Sequence, residues 1–285
     1  MSKTVLELDD IQSGVISPRP SPYVATYILL RIDDRKVGRE LMQKLSTVVA
    51  SAGHHTSPAG DAWVSVALSF QGLKALGVPR ESLDSFPPEF QQGMVARAHE
   101  LGDIGESSPE NWEKPLGTQD VHVVLTALSP NKQKLEPVLE RARKAYQELQ
   151  GIKAIWRQDC YASATRKEPF GFRDGISHPA IEGSGIPGTN PREPSLKAGE
   201  FVLGYRDETG AFPAMPKPDI LGQNGLMLFR KLHQRVAAFR KYLKANSSSS
   251  GEEEELIAAK MMGRWRSGAP LALYPERDDP ELGGP

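Results

Sequence analysis

The residues best suited to chemistry lie in one stretch, 168–183, which reads EPFGFRDGISHPAIEG. Gly171 and Gly175 bracket Asp174. Glycine reaches positive φ and lets backbone come close to a flat ligand, so this spacing presents a carboxylate at the tip of a loop. In a dry, apolar pocket the pKa of Asp174 should rise, and the group could then exchange protons with a bound substrate near neutral pH. The same pattern also describes an ordinary Asp-Gly turn, and a GxxDG spacing alone leaves both readings open. Arg173 suits a carboxylate-bearing ligand or a solvated loop position. Phe172 and Ile176 flank the pair on either side.

Metal and thiol chemistry is more constrained. The one cysteine, Cys160, excludes an internal disulfide and a cysteine-cluster metal site, and it fits a reducing compartment. Of six histidines, His54 and His55 sit in a Ser/Gly/Pro loop, His99 on a helix, His122 at a strand start and His233 at a helix start. His178 lies four residues after Asp174, a span of at most about 14 Å.

The elements that must position the motif follow from periodicity. Strands are predicted over 25–32, 62–70, 121–128 and 152–156, and helices over 37–49, 71–76, 90–101 and 135–149, with a Gly/Ser/Pro loop over 103–117. That order predicts a four-stranded sheet with helices on one face, an α+β layer fold occupying 1–165. A second unit, 166–285, opens with the Gly- and Pro-dense stretch 168–199. It continues with predicted strands over 200–205 and 226–230. A helix over 233–244 carries Val236, Phe239 and Leu243 on one face, and a polar NSSSSG insert follows. A last helix starts at 252–255, where acidic residues suit its dipole, and closes with Lys260, Arg264 and Arg266. Met261 and Met262 read as core packing, and Trp112, Trp156 and Trp265 as buried. Two strands and two helices leave sheet edges bare, so this half reads as partial.

Composition sets outer bounds. The chain has 285 residues, a formal net charge of −1 and a 39% hydrophobic fraction. It lacks the basic stripe of a nucleic-acid binder. It has no apolar run near the ~20 residues of a membrane span and no signal-peptide pattern at its start. The reading is a soluble, cytoplasmic protein.

The stretch FGFRDGISHPAIEG resembles the signature of the dye-decolourising-type haem peroxidases. Other segments resemble that family in matching order: DIQSGVI, YILLRIDD, VALSFQGLKALGV, FPPEFQQGMVARAHELGDIG with PENW, DVHVVLTAL, EFVLGYRDETG, LGQNGLMLFRKL, and AAKMMGRWRSGAPLAL with DDPELG. The resemblance covers nearly the whole chain and is greatest to the longer bacterial-type members.

This resemblance implies a ferredoxin-like fold of the dimeric α+β barrel type, its first half complete and its second partial. It implies haem b held between two such halves, with Asp174 handling protons as hydrogen peroxide is cleaved and small organic reductants such as dyes and phenols are oxidised. Gly171, Phe172, Arg173, Gly175 and Ile176 would border the cofactor. The family's proximal histidine and a distal arginine belong beyond the DDPELG region, so no iron ligand is identified in this chain. His178 reads as a loop histidine, since Asp174 should occupy the opposite face of the porphyrin. Two other expectations follow. One is a non-catalytic truncated member that has lost haem and serves as an interaction or remnant domain. The other is a protein completed by a second copy or a complementing chain.

Overall fold

Successive side chains along a strand point to opposite faces of a sheet, so strands buried on both faces are apolar along most of their length, as VATYILLRI and VVLTALS are here. A computed structural model describes residues 5–53, 62–176, 178–190, 193–222, 225–248 and 251–283. His54 and His55 lie outside the described residues, as does part of the NSSSSG insert. In chain order the helices and strands are α1 (Ser13–Ile16), β1 (Val24–Ile32), α2 (Arg35–Ser46), β2 (Trp63–Leu68), α3 (Phe70–Ala75), α4 (Arg80–Asp84), α5 (Pro88–Ala96), β3 (Val123–Ser129), α6 (Lys132–Gln147), β4 (Ile152–Tyr161), α7 (Val236–Ala245) and α8 (Gly251–Met262). No helix among the described residues is long and apolar enough to cross a membrane.

The sheet order is β2-β3-β1-β4, and every neighbouring pair is antiparallel. β1 and β2 therefore run parallel with β3 between them, and β3 and β4 run parallel with β1 between them. Helix α2 links the first pair and α6 the second. This is the split βαβ arrangement of the ferredoxin-like α+β fold, as expected.

One face of the sheet supplies Ile28, Leu30, Val64, Val123, Leu125 and Ala127 to a core shared with Leu41 and Leu45 of α2 and Leu135, Val138, Leu139 and Ala142 of α6. The opposite face holds a smaller cluster of Ala25, Trp63 and Leu128, with Tyr27 and Cys160 beside it. Both linking helices start on a side-chain cap, Asp34 accepting from Val37 N at 3.0 Å and Asn131 from Lys134 N at 3.0 Å. Such caps satisfy amide groups that the helix itself leaves open. The edge strand β2 is covered by Gln12, whose side chain donates to Val66 O (3.0 Å) and accepts from Val66 N (2.8 Å). That removes an edge which could template aggregation. Helix α5 ends at Ala96, short of the expected 101, and is kinked at Gly93, which adopts φ 71°, ψ 173°.

The described chain divides into two compact units, Met1–Tyr161 with Lys197–Met227, and Ala162–Leu196 with Leu228–Pro285. The expected second unit running unbroken from 166 is thus corrected, because 197–227 clusters with the first. There Lys217 N donates to Ser85 Oγ (2.7 Å), Leu221 packs on Leu73, Leu83 and Phe86, and Glu7 N donates to Tyr205 OH. The strands expected over 200–205 and 226–230 do not form. Val202 is buried, but 197–211 folds into a loop in which Glu200 accepts from Glu208 N and Glu208 from Lys197 N. The apolar residues Leu226, Met227 and Leu228 are exposed. Outside the four-stranded sheet, the described residues form only isolated bridges.

His122 ties this sheet together at one end. Its Nδ1 accepts from Ile32 N at 2.9 Å, and the ring also bonds the Gln119 backbone. Burial holds its pKa below the ordinary histidine value. The unfolded chain then takes up the proton first as pH falls, so this residue's contribution is complete above about pH 6.5 and shrinks as pH drops through that value. Urea midpoints measured from pH 5 to 8 should fall on the acid side. His122→Gln, which keeps an acceptor but cannot titrate, should flatten that slope; parallel profiles would contradict the account. Leu139 is fully buried, and Leu139→Ala should cost about 2–5 kcal/mol in the same assay.

Candidate functional site

The GxxDG segment lies in the second unit and is built without regular secondary structure. Its anchors are aromatic. Phe172 is buried against Leu243 of α7 and Ala258 of α8, and Phe170 packs on Phe239 of α7 with ring centroids 4.7 Å apart. Sequence reading put Phe172 beside a cofactor. Its side chain packs in the core of this unit, with both rings turned inward onto α7 and α8.

The backbone between those rings is held by a carboxylate. Glu168 accepts from Phe170 N (2.9 Å), Phe172 N (2.8 Å) and the Gln234 side chain (2.6 Å). Main-chain bonds add Gly171 N to Glu168 O and Glu168 N to Phe172 O. Gly171 has φ 97°, a region that side-chain-bearing residues avoid. A Cβ there would stand 2.6 Å from a guanidinium nitrogen of Arg266.

Arg266 reaches the loop from beyond α8. It was expected as a dipole-compensating residue on the last helix turn, but α8 ends at Met262, where Gly263 (φ 74°) breaks it. The Arg266 guanidinium donates to Phe170 O, bonds Glu255 of α8 (2.6 Å) and lies 4.9 Å from the Phe172 ring centre. Its own carbonyl accepts from Arg173 N at 3.1 Å. Trp265 is buried as expected and donates to Tyr274 O. Met261 and Met262, expected in the core, are exposed, since α8 turns Ala258 and Ala259 inward instead.

Asp174 comes at the tip. Its N–H donates to Arg166 O (2.8 Å), Lys167 and Arg173 bridge just before it, and its Oδ1 accepts from Gly175 N (2.7 Å). Asp174 and Gly175 are exposed, and space is open around the position a Gly175 Cβ would take. The dry, apolar pocket expected around this carboxylate is therefore not formed within its own unit, because the apolar neighbours face inward. Arg173 and Ile176 are half-buried, and Ile176 O accepts from Thr189 Oγ1 (3.0 Å). The same Thr189 holds His178 O through its N–H (2.8 Å), which makes His178 part of the loop's scaffold. The described residues contain no group of three or more His, Cys, Asp or Glu side chains placed to hold a metal ion.

Sequence reading brought out Asp174 and its glycines but missed Glu168 and the role of Arg266. The signal for Glu168 was a carboxylate placed two and four residues before amides in a proline- and glycine-containing turn. For Arg266 it was an arginine in a Gly/Ser-flanked segment after a helix, GRWRSG.

Comparison with known proteins agrees with this architecture. Residues 10–159 match the family model described as "DyP dimeric alpha+beta barrel domain". "Peroxidase 2" of Mycetinis scorodonius is 33% identical over 230 residues, covering 77% of this chain and 41% of that protein. A "Dye-decolorizing peroxidase" of Exidia glandulosa is 30% identical over 98% of this chain and 55% of its own length. A solved dye-decolorizing peroxidase in complex with 2,6-dimethoxyphenol superposes with a TM-score of 0.80 at 27% identity, covering 99% of this chain and 64% of the other. The chain spans about half the length of the curated relatives it matches. A match to the family model over more than half of its residues, on the sheet and helices described above, establishes that this chain belongs to the dye-decolourising peroxidase family.

Proposed function

We propose that this chain provides the peroxide-facing side of a haem peroxidase, with Asp174 as the residue that moves the proton. The observation that carries the reading is a carboxylate exposed at the tip of a loop whose inner side is fixed by buried rings and paired amides, in a member of this family. The likeness to longer bacterial-type members rests on the sequence segments, as the two relatives named above are fungal.

The residues present fit one side of a flat cofactor. The open space at Gly175 and the exposed carboxylate beside it allow a planar group to approach the backbone closely. Gly171, Phe172, Arg173 and Ile176 then serve as the frame, with Arg173 free in type and position to meet a propionate. No described residue is assigned as an iron ligand. Haem b, when bound, supplies the redox centre that accepts oxidising equivalents from hydrogen peroxide and passes them to the organic donor.

The chain's own contribution is proton movement. The Asp174 carboxylate would take a proton from one peroxide oxygen and return it to the other. Such a group must lie within hydrogen-bond reach of the proton it moves, which the outward-facing carboxylate allows. Dyes and phenols are the expected donors, and the phenol complex of a similar structure supports that class.

The test is haem titration of the purified chain, followed by peroxide-dependent oxidation of an anthraquinone dye and of 2,6-dimethoxyphenol. Peroxide-dependent turnover is expected once haem is bound. Asp174→Asn should lower kcat by about 10²–10⁴-fold, the usual worth of a positioned acid–base group, with haem uptake unchanged. An unaltered kcat in the variant would overturn the role given to Asp174, and absence of haem uptake would overturn the proposal as a whole and favour a non-catalytic member.

A further inference from the structure

We infer that Glu168 and Arg266 are positioning residues, which together set the direction in which Asp174 is presented; for the reaction itself this rests on the function proposed above. The Asp174 Oδ1 bonds the next amide in the chain, and among the described residues no side chain from another element hydrogen-bonds its carboxylate. Its aim is therefore inherited from the backbone of 166–173.

That backbone is fixed from two sides by two side chains of opposite charge. On one side the Glu168 carboxylate takes the amides of Phe170 and Phe172, one on each oxygen. On the other, Arg266 donates to Phe170 O, covers the Phe172 ring and, through its carbonyl, takes the amide of Arg173, the residue directly before Asp174. Gln234 ties Glu168 to the start of α7, and Glu255 ties Arg266 to α8. The loop is thereby referenced to both helices of its unit.

The chemistry of each residue is specific. A guanidinium is planar and has five N–H donors, so it can stack on a ring while two edges bond different acceptors. A lysine ammonium could replace one of these contacts but not all three. A carboxylate offers acceptors on both oxygens, whereas the amide of glutamine turns an N–H₂ toward one of the two backbone donors. Gly171 completes the fit, because only a residue without Cβ leaves room for the Arg266 nitrogen.

The deciding measurement is amide hydrogen exchange on the full chain, comparing wild type with Glu168→Gln, Arg266→Lys, Arg266→Ala and Gly171→Ala. Amides of 170–175 should exchange about 10–100-fold faster in Glu168→Gln and Arg266→Ala, with Arg266→Lys between wild type and Ala. Those of β1, β3, α2 and α6 should be unchanged. Gly171→Ala should show the Arg266→Ala pattern by displacing the guanidinium. In haem-loaded protein, Glu168→Gln and Arg266→Lys should lower kcat for peroxide turnover and leave the KM for dye and the haem affinity alone. Unaltered exchange at 170–175 in both Glu168→Gln and Arg266→Ala overturns the inference, as does acceleration spread evenly over α7 and α8. If the wild-type chain takes up haem but turns over no peroxide, the proposed function fails while the exchange data still decide the bracing.

Discussion

The carboxylate of Glu168, divided between the amides of Phe170 and Phe172, is the interaction on which the site's shape depends. A loop has no strand ladder or helix turn to pair its N–H groups, and a buried amide left without an acceptor costs about 1–3 kcal/mol. Phe170 and Phe172 must bury their rings to cover α7 and α8, which draws their amides inward as well. An ionised side chain with two oxygens resolves the conflict, since bonds to a charged acceptor are shorter and stronger than neutral ones. The inward rings and the outward aspartate are two consequences of the same local arrangement.

The first unit meets its backbone accounts in the opposite way. Four paired strands satisfy most main-chain groups, so side chains there are free to form one large apolar core between the sheet and helices α2 and α6. Where that unit departs from regular structure, in 197–211, the device of the site returns. Glu200 and Glu208 accept from amides, and Asp207 accepts from Thr209 N and Ala211 N. Carboxylates spaced among glycines thus act as local substitutes for secondary structure in both units.

The same distinction explains what the sequence made legible. The central strands β1 and β3 are apolar and buried along most of their length, and the helices between the strands carry caps and apolar stripes; these signals depend on neighbours close in sequence. The GxxDG motif was legible because a glycine frame is itself a local backbone statement. EFVLGY and LMLFR misled for a physical reason. A short apolar run records only burial or stickiness, and a strand needs a partner ladder that its own residues do not encode. Arg266 was read as a helix-end charge because composition cannot tell whether a helix stops four residues earlier, and its partners Phe170 and Phe172 are more than ninety residues away. Glu168 was passed over because its effect lies in bonds to main-chain atoms, which leave no mark on residue type.

Exposure of Asp174 within its own unit follows from how a precise site can be made from a loop. A carboxylate that fully satisfied itself with local donors would hold its position but would have little capacity left to exchange a proton. One with no support would point in many directions and lose the advantage of orientation. Here the two demands fall on different atoms: the amides of 170, 172, 173 and 174 are all paired, while Asp174 keeps a side chain that faces outward. Rigidity is located in the backbone and chemical availability in the side chain. In the proposed reaction, residues remote from any substrate would then act through geometry, because moving the frame moves the carboxylate with it.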